Sequence, residues 1–87
     1  MYRVTTDEKS QPQIDTLPPE ALAPFAEARA VIEIAPWNGD SLHDDYPGAP
    51  VRTLAFGPGH QGLLTYLILD DHRRVDLLDV LWLTQLG

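Results

Sequence analysis

The side chains able to meet a phosphate or move a proton are few. The chain holds six Lys and Arg and three His. Arg52 lies in Val51-Arg52-Thr53-Leu54-Ala55-Phe56, where it shares one side with Leu54 and Phe56. It is open to two readings. One is a phosphate or RNA contact. The other is an ion pair with Asp79, an aspartate stranded among apolar residues that needs a partner if buried. His60, in Gly57-Pro58-Gly59-His60-Gln61-Gly62, is the histidine placed to act as an acid or base. That glycine-rich stretch leads into a strand and lacks a Gly-Lys-Ser/Thr ending, so it reads as a turn and not a phosphate cradle. His72-Arg73-Arg74 is a small basic patch at a hairpin tip, either a solvated turn or a contact to RNA phosphate.

Asp79 as a general base is the alternative to its structural role. Asp76 lies three positions earlier, hence on the opposite face of a regular strand, which rules out a carboxylate dyad. Asp40, His43, Asp44 and Asp45 carry oxygen ligands but no second histidine at ligand spacing, so no metal is expected. No cofactor is expected either. Tyr46 is loop-borne and has no argued partner, whereas Tyr66 and Trp82 share parity with Ile68 and Val80 and read as core.

Positioning these groups falls to the last third of the chain. Gly62 to Leu69 and Val75 to Leu83 are two apolar runs joined by Asp70-Asp71-His72-Arg73-Arg74, an antiparallel hairpin. Leu64, Tyr66 and Ile68 share one face of the first run, with Leu63, Thr65, Leu67 and Leu69 on the other. In the second run, parity groups Leu78, Val80 and Trp82 against Val75, Leu77, Leu81 and Leu83. Both faces of this hairpin need covering.

Upstream, Tyr2-Arg3-Val4-Thr5 is β-prone, and Asp7 or Ser10 can cap a short helix ending near Thr16 before Pro18-Pro19. A second helix then runs to about Ala35. Its stripe is Ala21, Phe25, Ala28, Ile32 and Ala35, widened by Leu22 and Val31, with Pro24 expected to kink it or mark a later start. That helix can roof one face of the hairpin and cannot reach the other. The expectation is an α+β fold of order β-α-α-β-β-β, an antiparallel sheet packed on one face by two N-terminal helices, in a single domain spanning 1–87.

Composition narrows the field. Eighty-seven residues suffice for one two-layer core. With no cysteine there is no disulfide framework, and with no signal core or bilayer-length apolar run the expected location is cytoplasmic and not membrane-bound. The net charge is −7; residues 1–47 hold nine acids and three bases, residues 48–87 four acids and three bases. A general nucleic-acid binder would need a basic stripe that this chain lacks.

The element order, with Leu17-Pro18-Pro19-Glu20-Ala21-Leu22 opening the second helix, resembles the RelE/ParE toxin superfamily. Ile34-Ala35-Pro36-Trp37-Asn38-Gly39, Val51 to Gly57 and Thr65-Tyr66-Leu67-Ile68-Leu69-Asp70-Asp71 carry the resemblance over nearly the whole chain. It implies the toxin of a type II toxin–antitoxin system, held inactive by a cognate antitoxin. RelE-type members cleave mRNA on the ribosome; ParE-type members inhibit gyrase. By resemblance Arg52 matches a basic position of the family and is the main retained phosphate contact, and in such a toxin Arg73 and Arg74 would touch RNA phosphate; His60 stands with Arg52 among the catalytic candidates on its loop position alone. The arginine expected on the third strand is Leu63 here, and Thr84-Gln85-Leu86-Gly87 brings no base. Endoribonuclease chemistry would therefore run on a reduced set of cations. The alternative is a non-enzymatic module, a gyrase inhibitor or a toxin that only binds its antitoxin. Leu63, Leu67, Leu81 and Leu83 form the expected antitoxin-binding patch, so the chain alone is expected to self-associate and otherwise to sit in a hetero-oligomer.

Overall fold

In the computed structural model, which describes residues 1–41 and 48–83, strand β1 (Arg3–Thr5) leads into helix α1 (Ser10–Asp15) and helix α2 (Pro19–Ile34). A 3-10 turn at Pro36–Asn38 precedes β2 (Asp40–Ser41), followed by β3 (Val51–Phe56), β4 (Gly62–Leu69), a second 3-10 turn at Asp70–His72, and β5 (Arg74–Trp82). The fold is α+β. The order within the sheet is β1-β5-β4-β3-β2.

This differs from the expected all-antiparallel sheet in two ways. Five strands replace four, because Asp40 and Ser41 pair antiparallel with Thr53 and Arg52. The sheet is also mixed, since β1 runs parallel to β5 with Arg3 opposite Arg74 and Thr5 opposite Asp76. Parallel pairing is open to β1 and β5 because no hairpin joins them: both helices and the three strands β2 to β4 intervene before the chain returns alongside its first strand.

Each helix begins for a local reason. Asp7 Oδ1 accepts from the Lys9 and Ser10 amides at 2.9 and 2.8 Å, and Ser10 Oγ accepts from the Asp7 amide at 3.0 Å. The two side chains thus satisfy each other's free backbone donors at the start of α1. Pro19 opens α2, where a missing N–H costs nothing. Pro24 neither delays nor breaks α2, which is continuous from Pro19 to Ile34. The only intrahelical bond it removes is one to the Glu20 carbonyl, close to the helix start. Pro36 stops the helix.

The core lies between α2 and one sheet face. Ala21, Phe25, Ala28 and Ile32 are buried as the stripe requires, and the last three cluster with Phe56, Leu64, Tyr66, Ile68, Val75, Leu77 and Val80. Burying a side chain the size of Phe25 or Ile32 contributes about 1.5–3 kcal/mol. Leu22 and Val31, expected to widen the stripe, are exposed. Ile14 and Leu17 pack against the same core from α1 and the residue pair beyond it.

Parity fails in β5. Thr65 pairs with Asp79 but Tyr66 pairs with Leu77, leaving Leu78 as an extra residue in a bulge. The bulge resets the alternation. Val75 and Leu77 therefore share the core face with Val80, and Trp82 packs on Phe56 with centroids 5.7 Å apart. Leu81 stays opposite Leu63 on the outer face, as expected. Asp76 and Asp79, read as lying on opposite faces, stand across from the outer-face residues Leu67 and Thr65.

Candidate functional site

The Ile68–Arg74 end of the sheet gathers five side chains from four separate stretches of sequence. Asp70 Oδ1 accepts a short hydrogen bond from the Tyr2 hydroxyl and one from Trp37 Nε1 at 3.4 Å. The Arg52 guanidinium lies over the Trp37 ring at 4.9 Å, and the Arg73 guanidinium over the Tyr2 ring at 5.1 Å. The result is an arch: arginine, indole, carboxylate, phenol, arginine. Contacts of this type contribute about 0.5–1 kcal/mol each at exposed sites. The two donated hydrogen bonds, Tyr2 first, hold the Asp70 carboxyl below the usual carboxylate range. It is charged at neutral pH.

Local structure explains the arch. Pro36 and the 3-10 turn aim Trp37 outward, leaving it 39% exposed. Asp70 begins the 3-10 turn between β4 and β5, and Arg73 closes it in the left-handed region with φ 49°. Tyr2 is delivered by β1, whose parallel register with β5 brings the N-terminal residues to this corner.

Arg52 is tied into the fold. Its Nη1 donates to the Gly39 carbonyl at 3.0 Å and its Nε to the Ala49 carbonyl at 3.3 Å. It shares the core-side face through its register with Tyr66. The ion pair with Asp79 raised by the sequence is not formed. Asp79 stands opposite Thr65 and takes Gln13 Nε2 at 2.7 Å and Lys9 Nζ at 3.8 Å. Gln13 Oε1 also accepts from the Val80 amide at 2.8 Å, so one side chain of α1 occupies the β5 edge beyond β1. The partners of the stranded acid are thus a neutral amide of α1 and, at longer range, the lysine just before that helix, neither of which sequence spacing reveals. Asp76 is held separately by the Thr5 hydroxyl and by Arg74 at 2.9 Å. The two aspartates form no dyad, because of their partners and not because of strand parity.

His60 is at the other end of the molecule. It sits in the β3–β4 loop with φ 56°, past Phe56, and the four residues from Arg52 to Phe56 span about 13 Å of strand. It lines an open groove of about 260 Å³ between α2 and β3, with Glu27, Val31 and Phe56 among its walls. Arg52 and His60 therefore do not converge. Arg52 and Arg73 do share an end, while Arg74 is spent on Asp76.

The outer sheet face carries Val51, Ala55, Leu63, Leu67, Leu69 and Leu81, with Thr53 and Thr65 between them. Leu63, Leu81 and Leu83 are exposed at 39%, 45% and 71%, and Leu67 is half-buried. Among the described residues no element covers this face. His43, Asp44, Asp45, Tyr46 and Thr84 to Gly87 lie outside the described residues. Among the described residues no cluster of three or more His, Cys, Asp or Glu could hold a metal. No described helix is long and apolar enough to cross a membrane.

Sequence reasoning missed Tyr2, Trp37 and Asp70. A tryptophan in a proline-led polar turn and an aspartate ending an apolar strand were the available signals. Comparison with protein-family models, with curated proteins and with solved structures gave no match.

Proposed function

We propose that this chain is the toxin of a type II toxin–antitoxin system, of RelE/ParE kind, and that its outer sheet face is where the antitoxin docks. The observation that carries the reading is that face: Leu63, Leu67, Leu81 and Leu83 form an apolar surface that neither helix roofs. The occupant is an antitoxin segment, either an amphipathic helix laid on the face or an added strand, and the net charge of −7 favours one rich in Lys and Arg. The test is expression alone and together with the product of an adjacent small reading frame. Growth arrest by the chain, relieved by a partner that co-purifies with it, supports the reading. Absence of arrest, with no partner retained, overturns it.

Within that class the first mode is RelE-like, ribosome-dependent mRNA cleavage with Arg52 as phosphate contact. It draws support from Arg52 and Arg73 standing at the same end of the sheet. A second mode, inhibition by binding alone, whether of gyrase or of the antitoxin only, is favoured by a different observation. Arg52 already serves the Gly39 and Ala49 carbonyls, and His60 lies at the far end of β3. Mapping mRNA ends after induction separates the two. New ends within codons that disappear in Arg52→Ala, with the variant still folded and still bound by antitoxin, establish cleavage. Intact transcripts alongside unchanged arrest establish binding.

A further inference from the structure

We propose that the arch formed by Tyr2, Trp37 and Asp70 is a nucleobase-binding site that takes guanine, with the base stacked on the Trp37 indole and its N1–H and 2-amino edge on the Asp70 carboxylate. Three observations lead there. Each aromatic ring is backed by a guanidinium, the arrangement in which Arg reinforces stacking of a planar base on an aromatic side chain. Trp37 is held in place by its own N–H, yet 39% of it remains open to solvent. Asp70 uses Oδ1 for both protein donors, and among the described residues no hydrogen bond reaches Oδ2. An exposed carboxylate oxygen beside a stacking platform is an acceptor for a donor-bearing edge.

Charge decides what kind of ligand fits. The Asp70 carboxylate stands at the centre of the arch, and the chain as a whole is acidic. A bare phosphate at the Trp37 platform meets that carboxylate directly, while Arg52 is already engaged by the Gly39 and Ala49 carbonyls. A neutral base with two adjacent donors gains from both the platform and the acceptor. Guanine presents such an edge; adenine offers an acceptor at N1 and would set it against the carboxylate. An open recess of about 290 Å³ beside Asp70, lined by Ile68, Leu69, Asp71 and His72, leaves room for the sugar.

The site lies apart from the outer sheet face, so its failure leaves the antitoxin reading standing, and the reverse. The test is titration of the full chain in a Trp82→Phe background, reading Trp37 fluorescence, with guanosine, GMP, IMP and AMP as probes. The expected result is saturable quenching by guanosine and GMP of similar strength. IMP, which lacks the 2-amino group, and AMP should bind about tenfold more weakly or worse. Asp70→Asn should erase the preference for guanine over IMP while stacking persists. Because Asp70→Asn also loosens Tyr2 and Trp37, the nucleotide series on the unaltered carboxylate is decisive alone. Quenching by GMP without guanosine, equal binding of all bases, or no saturable quenching each overturns the proposal.

Discussion

Tyr66 concentrates several constraints in one residue. It is fully buried on the core face of β4, and its hydroxyl donates to the Pro36 carbonyl at 2.6 Å. Gly39 is required beside it: a Cβ there would fall 2.0 Å from the Tyr66 hydroxyl oxygen and 2.8 Å from the Thr53 carbonyl. Tyr66→Phe keeps the ring but leaves that carbonyl short of a donor, and urea denaturation should show a loss of about 1–2 kcal/mol. Burial pushes the Tyr66 hydroxyl up to about 12 from its ordinary 10. Its folded pKa lies above the unfolded one, so its contribution is complete below pH 10 and is lost as pH rises toward 12. Denaturation midpoints of the parent should fall across that window more steeply than those of Tyr66→Phe. Asp76 works in the opposite sense. The Thr5 hydroxyl, and then Arg74, hold its carboxyl below the usual range, so its stabilisation is present at neutral pH and lost on acidification through that lowered value. Asp76→Asn should flatten the acid limb of the stability profile.

At the scale of elements the bulge in β5 governs which residues are inside. Deleting Leu78 removes the bulge and leaves plain alternation, with Leu77, Val80 and Trp82 still on the core face and Asp79 and Leu81 still outside. The shortened chain should keep a cooperative thermal transition, as followed by far- and near-UV circular dichroism. Gly62 supports the same sheet from the hairpin: a Cβ there would lie 2.4 Å from the Phe56 ring, so Gly62→Ala should cost about 1–3 kcal/mol by displacing that ring. Much of this level was legible in the sequence. The apolar runs gave β3 and β4 with their observed limits, and the 3.6-residue stripe gave the buried face of α2. The bulge was not legible, because Val75 to Leu83 is apolar on both parities and no residue marks where one was added. Nor was β1's orientation, since three residues do not encode a direction. The arch was hidden for a related reason: Tyr2, Trp37 and Asp70 are brought together by the strand order, and none of them belongs to a spaced motif.

For the whole molecule, an α+β fold with one sheet face roofed and the other uncovered by any described element should behave differently alone and with the antitoxin proposed for it. The isolated chain should sediment as dimers or larger species at micromolar concentration. Leu63→Lys combined with Leu81→Glu should return it to a monomer with little change in melting temperature, since both side chains are already exposed and the opposite charges face each other across β4 and β5. The same pair should abolish antitoxin retention in a co-purification. If the double variant remains associated, the contact lies elsewhere, and the groove between α2 and β3 becomes the surface to alter.

The parallel pairing of β1 with β5 also sets an order of events during synthesis. Thr5 and Asp76 are 71 positions apart, so the first strand leaves the ribosome long before its neighbour exists. Until β5 emerges, β1 has no strand to pair with, and α2 lacks Val75, Leu77 and Val80 against its stripe. Assembly of the corner at Asp70 is thus a late event, governed by closure of nearly the whole chain into one loop. A chain built this way completes its Asp70 corner only when almost all of it has been translated.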